Sequence, residues 1–359
     1  MSQVIVVGAG PAGASLAFLL AERGIEVTLV ERQRDFAREF RGEVLLPSGV
    51  EALAQMGLGE AYAAVPKWRP ASLAVYLNRK VVVDLPLDPA LFGGHPPAAV
   101  SQPALLEAIV GRAAGRPGFR FLRGATAREL LREGERICGV RVQTDAGSEE
   151  LRAPLVVGTD GRASIVRRRG GFTATENAPP MDIVWCKVPA LPGFDGARGY
   201  AGGGHLLVVY RTFGDQLQVG WAIVKGTFGE LRKRGIEQWV GEMAGHVTPD
   251  LAEHLRRHAG ALTHPFLLDV VSDRVTRWSA PGALLLGDAA HTMSPVGGQG
   301  LNLALRDAIV AANHLVPALR AGAGSEALDA AARAAEAERL PEIATVQRLQ
   351  GQADRKSVV

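Results

Sequence analysis

Residues 4–7 are Val-Ile-Val-Val, apolar at every position and bounded by Gln3 and Gly8. So short an apolar run predicts a strand buried on both faces of a parallel sheet. Over 11–23 the period changes. Leu16, Leu19 and Leu20 share one side of a predicted helix, which Gly24 closes. Residues 25–30 return to a strand pattern that ends at Glu31. Together these predict a right-handed βαβ unit of about 30 residues.

Further along, helices are predicted over 47–56, stopped by Gly57, and over 102–114, started by Ser101 and Pro103. Residues 74–76 and 81–85 flank Asn78-Arg79-Lys80 as a hairpin. Residues 119–157 alternate, with charged turns, and predict a small antiparallel meander that rejoins the main sheet at 155–157. From about 172 to 272 the pattern predicts strands over 183–188, 206–210 and 216–224. In the last, Leu217, Val219, Trp221 and Ile223 alternate with Gln218 and Gly220, as in a sheet with one packed face. Helix is predicted over 251–258. A buried strand at 283–286, a glycine-rich turn and a helix over 301–319 follow. An alanine-rich helix over 327–339 is then broken or restarted by Pro341.

Composition narrows the class. The 359 residues are 47% hydrophobic and 21% charged, which excludes a disordered chain and suggests two domains. Net charge is +3 with six lysines and 34 arginines, but the arginines are scattered and aromatics are 6%. No basic stripe with stacking aromatics is present, so nucleic acid is not an expected partner. Cys138 and Cys186 stand outside any Cys-x-x-Cys or Cys/His spacing. Neither a disulfide framework nor a metal site is expected, and a reducing cytoplasm fits. No charge occurs from Met1 to Ala21, yet Gly8, Gly10, Pro11 and Gly13 interrupt that stretch. It reads as strand, turn and helix, with no membrane span.

Three glycine turns carry the candidate chemistry. Gly8-Ala9-Gly10-Pro11-Ala12-Gly13 follows a strand and opens a helix. In such a turn the first glycine permits the bend, the second lets a pyrophosphate approach, and the third lets helix and strand pack closely. The helix N-terminus adds N–H groups and partial positive charge. Glu31, followed by Arg32, ends the second strand where a carboxylate can take ribose hydroxyls. The second turn is Asp160-Gly161 after a strand at 155–157; alone it reads as a solvated Asx turn. In the third, a buried strand delivers Gly287-Asp288, with His291 close behind. Pro295-Val296-Gly297-Gly298-Gln299-Gly300-Leu301-Asn302 then opens a second helix, whose N-terminus can stabilise negative charge.

These three elements, in this order and near these separations, resemble FAD-dependent monooxygenases of the para-hydroxybenzoate hydroxylase type, the group A flavoprotein monooxygenases. Arg41-Gly42-Glu43 before Pro47, and Gln102 before Leu105 and Leu106, resemble the same family. The resemblance implies an α/β fold: a Rossmann-like FAD-binding domain with a parallel sheet, an inserted antiparallel-sheet substrate domain and C-terminal helices. The expected division is 1–69, 100–171 and 271–325 for FAD, 70–99 and 172–270 for substrate, and 326–359 for the C-terminal helices. It implies that Gly8, Gly10, Pro11, Ala12 and Gly13 hold the FAD pyrophosphate and Glu31 with Arg32 the adenosine end. Arg41 and Gln102 match family positions that contact FAD, and Asp160 matches one implicated in both FAD and NAD(P)H binding. It places Gly287 and Asp288 on the ribityl chain, Pro295 near the flavin C4a edge, and Gly298, Gly300, Leu301 and Asn302 at the pyrimidine edge.

The implied reaction uses NAD(P)H and O₂ to hydroxylate or epoxidise an aromatic, phenolic or polycyclic small molecule through a flavin C4a-hydroperoxide, in a cytoplasmic monomer or homodimer. An FAD-dependent dehydrogenase or double-bond reductase shares the same binding motifs. A flavin-dependent halogenase carries Trp-x-Trp-x-Ile, and Val219-Gly220-Trp221-Ala222-Ile223 lacks its first Trp. A non-enzymatic flavin-binding protein is a third class. For substrate, Trp185, Tyr210 and Trp221 are the candidates on the predicted sheet, each with a bland core reading beside it. His95, His205 and Arg211 could orient a phenol, though solvated positions are the plainer reading.

Overall fold

A computed structural model describes residues 3–37, 43–177, 179–262 and 265–357. Its centre is a six-stranded sheet ordered Ser279–Ala280, Ala283–Leu285, Leu155–Gly158, Val4–Val7, Val27–Glu31 and Phe119–Arg123. All neighbours are parallel except Ser279–Ala280. Val4, Ile5 and Val6 are wholly buried, because helices Pro11–Glu22, Gln102–Ala114 and Gly300–Arg320 pack into the same core.

The second body is a seven-stranded sheet ordered Phe266–Leu268, Met181–Pro189, Gln216–Val224, His205–Thr212, Gly196–Gly202, Ser72–Leu77 and Lys80–Pro86. One face carries Val184, Cys186, Leu207, Val219 and Trp221 beneath helices Phe228–Arg234, Ile236–Ala244 and Pro249–Arg257. Its other face carries Ile183 and Ala222, with Trp185, Leu206 and Leu268 at the margin, and packs against Val296 of the glycine-rich turn. The outermost strand, Lys80–Pro86, is exposed along nearly its whole length. It contains a bulge: Tyr76 opposes Val81 while neighbouring Val75 opposes Val83, so Val82 has no opposite number.

Two sequence expectations change, and two further elements lie where the sequence pattern gave no prediction. Phe119–Arg123 is not part of the meander, which comprises Thr126–Glu133, Arg136–Thr144 and Gly147–Arg152. It is the edge of the parallel sheet, and an edge strand covered on one side alternates just as a meander strand does. The last helix, Ser325–Ser357, runs through Pro341 without a break. Pro341 lies on the exposed side, and buried Ala335, Arg339 and Ile343 hold the helix to the core on both sides of it. The segment 228–244 is helical, its two short helices being masked by the strand-rich composition around them. Gly196–Gly202 is a strand although three of its seven residues are glycine. Two of its glycines lie where side chains would crowd a neighbour: a Cβ on Gly196 would stand 2.7 Å from Ser72 Oγ, and one on Gly202 would meet Asn78 Oδ1. Among the described residues no helix is long and apolar enough to cross a membrane.

Candidate active site

The first glycine turn is built by contact between two strands. Gly8 has φ +100°, and a Cβ there would stand 2.6 Å from the Thr159 carbonyl oxygen. A Cβ on Gly13 would come within 1.9 Å of the Gly8 carbonyl oxygen and 2.4 Å of Thr159 Oγ1. Thr159 itself donates to the Val7 and Gly8 carbonyls at 2.9 and 2.7 Å. Gly10 differs. A Cβ there would meet nothing within 4 Å, so no packing among the described residues requires a glycine at this position. Gly10 caps the helix Pro11–Glu22 without a side-chain hydrogen bond, leaving the first-turn N–H groups facing that open space. These are the features an FAD pyrophosphate needs, and the residues present fit it.

Glu31 is buried, and its carboxylate accepts from the Ala9 and Gln33 N–H groups at 2.9 Å each. It therefore ties the glycine turn to the end of its strand, beside exposed Arg32. Gln102 is half-buried at the start of its helix. Arg41 lies outside the described residues.

Asp160 accepts from the Ser164 hydroxyl and from the N–H groups of Ile165 and Val166, so it organises the start of helix Ile165–Gly170. Burial pushes its carboxyl up, against those hydrogen bonds. Asp288 is more open, with 37% of its side chain exposed, and Arg162 Nε lies 3.3 Å from Oδ2. Its turn is fixed from below by Asp307, a wholly buried residue that sequence reasoning missed. Asp307 accepts from the Gly287 N–H at 2.9 Å, from His291 Nε2 at 2.7 Å and from Arg339 Nε at 2.7 Å. Burial pushes its carboxyl up, but the His291 and Arg339 charges and hydrogen bonds outweigh that and hold it below its usual value. His291 thus ties Asp307 to the turn that follows the buried strand.

Beyond it, Pro295 and Gly298 close a turn through Gly298 N–H to Pro295 O at 2.9 Å, and Gly300–Arg320 begins with no side-chain cap. Leu301 packs in the main core. Asn302 is buried; it accepts from Leu46 N–H at 2.9 Å and donates to Gly298 O at 2.8 Å. It fastens the helix start to the segment that follows Glu43.

Across this turn, register settles which sheet residues look toward it. Trp185, Gly220, Val208 and Gly199 form one row; Lys187, Gln218, Tyr210 and Ala197 form the next. A Cβ on Gly220 would stand 2.5 Å from the Trp185 ring, so the glycine makes the bed for that indole. Trp185 and Tyr210 meet edge to face at 6.5 Å. Trp221 does not join them. It is 2% exposed on the opposite face, under the helices, with Nε1 3.4 Å from His205 Nδ1. His205 stacks on His246 on that same side, Arg211 pairs with Asp215 over Trp68, and His95 is half-buried in its loop.

The second residue missed from sequence is Glu43. It is 5% exposed, with Oε2 3.5 Å from the Thr212 hydroxyl. Burial pushes its carboxyl up from 4.5 to about 7, against the pull of Lys187 and Thr212. Burial, and then the Glu43 charge, raises Tyr210 as well. A buried carboxyl pushed up to about 7 thus stands where the chain beside Val100 meets the end of strand His205–Thr212. Its signal in the sequence was only its place after Arg41-Gly42.

A dinucleotide cradle faced by a second sheet across a glycine-rich turn defines a flavin-dependent oxidoreductase. Comparison with known proteins agrees. The family model described as FAD binding domain matches residues 1–212 and 219–348. The 6-methylpretetramide 4-monooxygenase of Streptomyces rimosus is 34% identical over 353 residues, covering 97% of this chain and 82% of that protein. The digeranylgeranylglycerophospholipid reductase of Methanocella arvoryzae is 27% identical, covering 89% and 78%. The fold matches PqsL of P. aeruginosa, solved with 2-aminobenzoylacetate, at a TM-score of 0.84 and 23% identity over 97% of this chain and 94% of that one. The chain belongs to the FAD binding domain family, as a group A flavoprotein monooxygenase.

Proposed function

We propose that the protein uses NAD(P)H and O₂ to hydroxylate or epoxidise a polycyclic phenolic molecule of the kind named in its 34%-identical relative. The observation that supports this reading is the apolar face of Ile183, Ala222, Trp185, Leu206 and Leu268 packed against Val296 of the glycine-rich turn, with Tyr210 and Gln218 two residues further along the same face and Glu43 beside Thr212. Bound FAD supplies the electron transfer and oxygen activation. In this reading, Gly8, Gly10, Pro11, Ala12 and Gly13 hold its pyrophosphate, and Glu31 with Arg32 its adenosine end. Arg41, Gln102 and Asp160 complete the cofactor contacts. Gly287, Asp288, Gly298, Gly300, Leu301 and Asn302 hold the ribityl chain and ring edge. Trp185 offers a flat face that orients a planar ring, while Val296, Ile183 and Leu268 keep water from it. Glu43, titrating near neutrality, takes or returns the proton of an acidic hydroxyl seated beside Tyr210.

The same reading divides the chain into a discontinuous FAD unit (1–69, 100–171 and 271–325), a substrate unit (70–99 and 172–270) and C-terminal helices, acting in the cytoplasm as monomer or homodimer. The test is anaerobic reduction with NADPH or NADH, then mixing with O₂ in the presence of 6-methylpretetramide. Oxygenated product supports the proposal. Reduction of a carbon–carbon double bond without O₂ would move the assignment to the reductase class, whose representative above shares the fold family.

A further inference from the structure

The last helix, Ser325–Ser357, presents Arg339, Ile343, Gln347 and Gln350 at spacings of four, four and three, which puts them on one face. Arg339, Ile343 and Gln350 are 2%, 0% and 5% exposed. This face follows the cofactor-side loop from end to end. Arg339 holds Asp307, and through it the Gly287 N–H and His291. Gln347 Nε2 donates to the carbonyls of Thr292 at 3.0 Å and Asp273 at 2.8 Å. Gln350 Nε2 donates to the carbonyls of Ser294 at 2.9 Å and Val296 at 2.7 Å.

Those last two carbonyls flank Pro295, which has no N–H with which to anchor its own stretch. With two acceptors in front of it, the amide must present its nitrogen. Its Oε1 is buried and takes no hydrogen bond from the described residues, so both of the side chain's hydrogen bonds go to this loop. Val296, held at one end of this clamp, is the loop residue that packs against the substrate-facing sheet.

We propose that Gln350 is a positioning residue for the oxygenation step: by gripping the backbone on both sides of Pro295, it sets the gap between this loop and Trp185, Leu206 and Leu268. Arg339 and Gln347 fix the loop upstream, so Gln350 governs only the portion facing substrate. The inference rests on the monooxygenase reading for its link to reaction outcome, but the loop geometry can be tested without turnover.

The experiment compares FAD-loaded wild type with Gln350→Leu and Gln350→Glu. Hydrogen exchange is followed at the Gly298 N–H, which closes the Pro295 turn. In Gln350→Leu, exchange at Gly298 should accelerate roughly ten-fold with FAD still bound and exchange at Val4–Val7 unchanged. Gln350→Glu should be faster still at neutral pH, because a carboxylate repels both carbonyls. It should slow again as acid restores one donor. With 6-methylpretetramide as probe, H₂O₂ formed per NAD(P)H consumed should rise in the same order. Unchanged exchange in Gln350→Leu, no pH response in Gln350→Glu, or equal acceleration throughout the parallel sheet would each overturn the proposal. If exchange changes as expected while neither wild type nor variants oxygenate the probe, the clamp stands and the reading of a polycyclic phenolic substrate fails.

Discussion

The glycine-turn cradle and the seven-stranded sheet are built by different means. In the cradle the constraint is written into backbone: at Gly8 and Gly13 Thr159 and the Gly8 carbonyl leave no room for a Cβ, whereas at Gly10 a Cβ would meet nothing within 4 Å, which suits the proposed approach of a pyrophosphate. In the sheet it is written into which side of a strand faces the loop. Val184 pairs with Trp221 and Trp185 with Gly220, so two tryptophans on adjacent strands look in opposite directions. A backbone constraint can be read from residue type and order. A facing constraint needs the register, and a one-residue slip would exchange every inward side chain for an outward one.

The widest separation should appear among the glycines. Gly13→Ala is expected to prevent formation of the turn, so that cofactor-free protein no longer unfolds cooperatively. Gly10→Val should leave that unfolding transition in place and abolish FAD binding, measured by flavin release on heating. If both behave alike, the distinction between a packing glycine and a ligand glycine collapses.

The two tryptophans sharpen the other half of the comparison. Trp221→Ala, emptying a buried site, should cost about 3–5 kcal/mol in denaturant unfolding with little change in KM once folded. Trp185→Ala should cost far less stability and raise KM for a planar substrate. Reversed results would mean that the two faces have been exchanged.

Glu43 tests the end of strand His205–Thr212, which it meets at Thr212. Raising its carboxyl from 4.5 to about 7 is worth about 3 kcal/mol between its protonation states. Because the folded value is the raised one, its contribution is fully present below pH 4.5 and is lost as pH climbs through 7. Glu43→Gln should therefore match wild type in thermal stability near pH 4.5 and exceed it increasingly toward pH 8. A constant difference across that range would remove the titrating carboxyl from the account.

The smallest effect is expected at Asp288, whose side chain is one-third exposed. Asp288→Ala should weaken FAD roughly ten-fold, about 1.4 kcal/mol, by fluorescence titration. Wild-type affinity would exclude it from the ribityl contacts.

The βαβ unit, its acidic residue and the strand–glycine–helix passage from 283 to 320 were legible because each depends on short-range pattern. The faces of the second sheet were not, since Trp185 and Trp221 are equivalent until strands are paired. Asp307 and Arg339 were hidden for another reason. A charged residue inside a helical pattern reads as solvated until a partner 32 residues away is brought against it. Glu43 is similar, since only burial by a distant strand gives an ordinary glutamate an unusual proton affinity.

The bulged outer strand Lys80–Pro86 bears on solubility. Val81, Val82 and Leu85 are each more than half exposed there, and a straight strand so apolar would invite other chains to add to the sheet. The bulge turns Val81 and Val83 to opposite sides, which spoils the alternation a docking strand would need. Pro86 withholds a donor at one end, and Lys80 sets a charge at the other. The sheet can therefore stay apolar on the side that packs against Val296 without its free rim templating other chains.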